Sequence, residues 1–110
     1  MAVRVMIKRY VPRDKEEELL KLTMKLRLLA SQQPGYISGE TLRNVEDPIQ
    51  YLVVSTWQTV EDWTNWRAKQ ERSEVQGKID ALLGSETTYE MYHYPEKKRI
   101  RIRDFIHADD

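Results

Sequence analysis

YISGETLRNVEDPIQYLVVSTW, residues 36–57, decides the fold. Two β-rich runs, YISGETLRN (36–44) and IQYLVVSTW (49–57), flank the polar turn VEDP. Such runs around a short turn predict an antiparallel hairpin.

The flanking sequence places the other elements around this hairpin. Upstream, Val3, Val5 and Ile7 alternate with Arg4, Met6 and Lys8, which predicts a half-buried strand over 2–10. Pro12 stops it. Asp14 and Glu17 form a D-x-x-E helix start, with acids at the positive end of the dipole. Leu19, Leu22, Leu26 and Leu29 then recur at helical spacing, and Leu20 and Met24 widen the stripe. A helix over 14–32 follows, ended by Pro34-Gly35. Downstream, Thr59 opens a second helix with Asp62 in its first turn. A break falls near 68–72. Val75, Ile79 and Leu82 mark a third helical segment, ended by Gly84. Gly77 lies inside it at a cost of about 1 kcal/mol relative to Ala, so either close packing or room for a ligand is expected there. ETTYEMYHY (86–94) reads as a fourth strand.

The order is strand, helix, strand, strand, helix pair, strand. This is the ferredoxin-like split βαβ pattern, an α+β fold with a four-stranded antiparallel sheet and helices on one face. There is no internal repeat or linker. One domain over 1–95 is expected, followed by a charged C-terminal extension over 96–110. Leu52 and Val54 point opposite to Tyr51 and Val53, so the sheet is apolar on both faces. The uncovered face calls for a second copy of the chain, a homodimer.

Composition narrows the function. The chain has 110 residues, enough for one core. Its 18 basic and 18 acidic residues cancel, which argues against a global field for nucleic acid or anionic lipid. The absence of Cys excludes disulfides, thiolate zinc sites and cysteine nucleophiles, and fits a reducing compartment. No apolar run approaches the ~20 residues that span a bilayer. MAVRVMIKRY has no signal-peptide core. The expectation is a soluble cytoplasmic domain with no membrane partner.

Candidate chemistry is sparse. All three Trp fall within 56–66, at Trp57, Trp63 and Trp66. Trp57 ends a strand; Trp63 and Trp66 share a helical face. They either anchor helix to sheet or wall a pocket for a planar ligand. Of the two His, His93 alternates with Met91 and Tyr89 on the fourth strand and is a candidate general base, or a hydrogen-bonded interface His. His107 sits in the charged tail. Two distant His without carboxylates at ligand spacing make no metal site. There is no phosphate loop or nucleophile elbow. The tail has five basic residues in 97–103, with Ile100 and Ile102 alternating. An edge strand with a charged outer face is favoured there over an anion- or nucleic-acid-binding arm.

Pro34-Gly35-Tyr36, the strand ending in Trp57, the helix opened by Thr59-Val60-Glu61-Asp62, and Trp66 before a further helical segment together resemble the antibiotic biosynthesis monooxygenase family. The resemblance covers about residues 2–94. It implies a dimeric α+β barrel. It also implies activities that range from cofactor-independent quinol-forming oxygenases to haem-degrading enzymes. Trp66 matches the family's pocket tryptophan. In the cofactor-free polyketide oxygenases an Asn lies one turn before it; here Asp62 stands there, able to accept a phenolic proton but not to donate as an amide does. In the haem-degrading branch a His follows about ten residues beyond the Trp, and an Asn lies on the first strand. Residues 73–78 hold no His, and Lys8 or Arg9 stands on the strand. The resulting expectation is a monooxygenase without metal or cofactor, acting on a small planar aromatic or quinol-like substrate. Asp62, Trp66 and His93 are its catalytic candidates, and Trp63, Trp66 and Arg43 its substrate-binding ones. The alternative is a non-catalytic dimeric module that binds a small hydrophobic ligand.

Overall fold

Alternation in the first ten residues becomes strand β1 (Val3–Tyr10), whose side chains are buried and exposed by turns. A single 3-10 turn at Arg13–Lys15 leads into helix α1 (Glu16–Ser31). Strands β2 (Tyr36–Arg43) and β3 (Gln50–Trp57) form the expected hairpin. Helices α2 (Val60–Arg67) and α3 (Gln70–Leu83) follow, then strand β4 (Thr88–Tyr92). This computed structural model describes residues 1–95; the tail's proposed edge strand and His107 lie outside the described residues.

The sheet order is β2-β3-β1-β4 and every pairing is antiparallel. Register sorts the two faces. Val3, Val5, Ile7 and Arg9 lie opposite Trp57, Ser55, Val53 and Tyr51. Directly opposed residues share a face, so these side chains all point towards the helices. Met6, Leu52, Val54 and Leu42 point the other way. That second face carries no helix among the described residues.

The core lies between helices and sheet in two clusters. One joins Val3, Val5, Ile7 and Ala30 to all three Trp. The other joins Val11, Leu19, Tyr51, Val75 and Ile79. Leu26 and Leu29 touch both.

Three local expectations are corrected. The D-x-x-E pair makes no cap: Lys15 occupies the N-cap of α1 and no side chain bonds there, because the 3-10 turn absorbs Asp14. Leu20 and Met24 are exposed, so the buried stripe of α1 is narrower than the leucines suggested and includes Thr23 and Ala30. Gly77 neither packs closely nor borders a ligand space: a Cβ built there meets nothing within 4 Å. Other signals acted as read. Thr59 caps α2, its hydroxyl accepting the Asp62 N–H at 3.0 Å. Gly84 ends α3 in the left-handed conformation at φ 70°. No described helix is long and apolar enough to cross a membrane.

Candidate functional site

α2 brings Trp63 and Trp66 down onto the end of the sheet, where Trp57 waits. The three are 2%, 3% and 0% exposed respectively. Trp66 stacks on Trp57 with ring centroids 6.3 Å apart, and Trp63 meets Trp57 at 6.1 Å. Tyr36 adds an edge-on contact to Trp57 at 5.4 Å. The tryptophans are therefore core and wall together.

Beside them lies a cavity of about 50 Å³ between the three helices and the sheet. Trp63, Trp66, Tyr36, Leu26, Ala30 and Ile7 give it an apolar side. Arg9, Arg27 and Arg72 give it a cationic one. The floor at Gly39 has no room for a side chain, since a Cβ there would come within 2.8 Å of the Tyr36 hydroxyl and 3.0 Å of Arg27 Nε. Arg27, Tyr36 and Gly39 are half-buried, so the cavity meets solvent on the β2 side.

Two of these arginines are buried. Arg9 is 4% exposed and Arg72 5%. Arg9 Nη2 donates to Gln76 Oε1 at 3.4 Å, a long bond, and its buried Nε has no partner. Gln76 donates in turn to Asp80 at 2.9 Å and to Thr87 at 2.6 Å. Burial pushes the Arg9 guanidinium below its ordinary pKa; the charges of Tyr89 and Asp80 oppose that shift and Arg72 adds to it. Arg72 lies over the rings of Trp63 (5.5 Å) and Tyr89 (5.3 Å) and donates to the Tyr89 hydroxyl. Such cation–π contacts are worth more when desolvated.

The residues singled out from sequence do not all meet here. Trp63 and Trp66 do. Asp62 does not line this cavity. It packs over Gly35 and lines a separate cleft of about 340 Å³ with Gln33, Pro34, Asn65, Lys69 and Trp66. Trp66 is the residue common to both spaces. His93 lies just past the end of β4, exposed, with Nδ1 2.8 Å from the Tyr94 carbonyl. It borders a depression with Arg4, Met6 and Thr56 on the uncovered face, because the chain leaves the sheet before alternation can turn it inward. Arg43 sits at the opposite end of β2, paired with Tyr51 rather than Trp57. It donates to Glu16 and Tyr51, and the Tyr51 hydrogen bond is the chief cause of its raised pKa. Its charge is thus already matched by Glu16.

Arg9, Arg72 and Gln76 were not among the sequence's site candidates, although its periodicities contained them. The β1 alternation that turns Val3, Val5 and Ile7 inward turns Arg9 inward as well. Arg72, Val75, Gln76 and Ile79 recur at i, i+3, i+4 and i+7, and all four are buried. Polar residues at such positions read as surface until the face is known.

A family model described as antibiotic biosynthesis monooxygenase matches residues 2–78. Among solved structures, the chain resembles a conserved protein from Methanosarcina mazei Go1 at 21% identity and TM-score 0.76, covering 84% of this chain and 91% of that one. It also resembles a variant of SnoaB, a cofactor-independent oxygenase from Streptomyces nogalater, at 14% identity and TM-score 0.76, covering 87% and 95%. At these identities the likeness is one of fold. The chain matches no curated protein sequence.

Proposed function

The chain belongs to the antibiotic biosynthesis monooxygenase family, and from that premise we propose that it is a cofactor-independent monooxygenase of a small planar aromatic or quinol-like substrate. The observation that carries this reading is the cavity walled by Trp63, Trp66 and Tyr36 between α2 and the sheet. In such a reaction a substrate methylene is deprotonated, and the resulting carbanion reduces O2. One oxygen atom becomes the new carbonyl and the other leaves as water, so R2CH2 and O2 give R2CO and H2O. The substrate supplies the electrons. The protein supplies a dry site, an aromatic wall and an outlet for the proton. Trp66 forms the wall and Trp63 supports it. Asp62, which shares the outer cleft with Trp66, is the proposed proton acceptor. This reading gives no role to His93 or Arg43, which lie away from the cavity.

The test is oxygen uptake by the purified protein with anthrone-type phenols, which carry the methylene this step oxidises, without added cofactor. Uptake should exceed the uncatalysed rate and fall about ten- to a hundredfold in Trp66→Phe, with the circular dichroism unchanged. No uptake across the panel would reject the reading.

One observation favours a second reading. Among the described residues, no carboxylate or imidazole lines the cavity itself. A module that binds a hydrophobic ligand without turnover needs none. Both readings predict Trp fluorescence quenching by ligand, and oxygen uptake separates them.

A further inference from the structure

Among the described residues, the wall of the Trp cavity carries three guanidinium groups and no carboxylate. Burying a cation without a partner is costly, so such a group is ordinarily paired. Among the described residues, neither Arg9 nor Arg72 has a carboxylate within ion-pair distance. The partners of Arg72 are the Tyr89 hydroxyl, the Arg67 carbonyl and two aromatic faces, all neutral. Arg9 reaches Asp80 only through Gln76. Its Nε, fully buried, has no acceptor. The free volume of about 50 Å³ equals the share of one or two waters at ~30 Å³ each. That suits an anionic head group, whereas a whole drug-sized ligand fills several hundred Å³.

We infer that the cavity is an oxyanion-binding site, in which the Arg9 guanidinium that lines it receives a carboxylate or ionised phenol or enol oxygen of the ligand and Arg72 and Arg27 add positive charge to the same wall. The ligand's ring then lies against Trp63 and Trp66, with side chains on the β2 side giving way to admit it. The inference rests on the reading that this cavity takes the ligand, but it needs no turnover. A buried arginine gains most from an anion because a charge-assisted hydrogen bond replaces an unsatisfied donor.

Benzoate and benzamide have nearly the same shape, and only benzoate is charged at neutral pH. Each is titrated into the full chain by Trp fluorescence and calorimetry. Benzoate should bind at least about tenfold more tightly than benzamide. Arg9→Gln should bring that ratio close to one while benzamide affinity persists. Arg9→Lys should retain part of the preference. A purely structural Arg9 would leave the ratio unchanged. Bound 4-nitrophenol reads the same property in the unsubstituted chain, so the test stands even if Arg9→Gln fails to fold. Its ionised-form absorbance should appear at lower pH than in buffer. A preference for benzoate alone would identify a carboxylate ligand, and a shift of nitrophenol alone a phenolate or enolate; either supports the site. Equal benzoate and benzamide affinity together with an unshifted nitrophenol, or no binding of any probe, would overturn it. If the anion preference holds and oxygen uptake fails, only the monooxygenase reading falls. If uptake proceeds without anion preference, only this inference falls.

Discussion

Trp57 is sealed by Tyr36, Trp63 and Trp66, so its truncation leaves a large hole that three stiff rings cannot close. Trp57→Ala should cost about 3–5 kcal/mol of stability, read by urea unfolding. Gly77 is the opposite case. It is exposed, mid-helix and faces open space. Gly77→Ala should therefore stabilise the chain by about 0.5–1 kcal/mol, chiefly by restricting the unfolded state, with ligand binding unaffected. A destabilising Gly77→Ala would mean that this surface is covered in the assembled protein. The sequence made these two residues legible to different degrees. The Trp cluster announced itself by composition. Gly77 invited a packing or ligand explanation, because an unfavourable residue in a helix suggests a reason, and the structure supplies none. Arg9 was hidden by its type: an arginine at the end of a strand looks like surface, although the β1 alternation points it inward and the register sets it opposite Tyr51.

At the scale of elements, the join between β2 and α2 decides where the Trp face points. Gly35 has φ 83°, and a Cβ on it would lie 2.1 Å from Asp62 Oδ2 and 2.6 Å from Asp62 Cβ. Its carbonyl also accepts the Gln58 N–H at 2.7 Å. The turn before β2 thus nests directly under the first turn of α2. Gly35→Ala should destabilise by more than about 1 kcal/mol, from the positive φ and the clash together. Asp62→Ala should not rescue it, because the Asp62 Cβ is itself in the way; full recovery in the double variant, by thermal melt, would contradict this contact. The Thr59 cap fixes the same helix end, and Thr59→Ala should cost about 1 kcal/mol. The helix itself was legible from Thr59 and the Trp spacing. The outward aim of Asp62 was not, since it depends on a glycine far away in sequence.

The whole molecule presents an unusual second face. Leu42 opposes Leu52 across β2 and β3, and Val54 and Met6 continue the patch. Val54 is buried, whereas Leu42 is about half exposed. We propose that this apolar patch, bordered by Lys8 beside Leu52 and Glu40 beside Val54, meets a two-fold partner copy. Leu52→Glu should weaken self-association by about tenfold or more without unfolding the domain, measured by light scattering across a concentration series. A chain that is monomeric before substitution would reject the dimer. Removal of residues 96–110 should also weaken association; an unchanged dimer constant would give the tail another role.

By itself the sequence determined the element order, the hairpin, the Gly84 stop, the Thr59 cap and the gathering of the tryptophans into one helix–strand unit. Each of these is encoded locally, in periodicity, turn chemistry or spacing within a few residues. The tertiary structure alone decided which polar residues became internal. Asp62 was assigned to the site by family resemblance and His93 and Arg43 by chemical type, yet the three lie in different places. Arg9 and Arg72 come together because β1 and α3, over sixty positions apart, present their inner faces to one cavity. Local rules fix which way a side chain points along its own element. Only packing between elements fixes what it meets there.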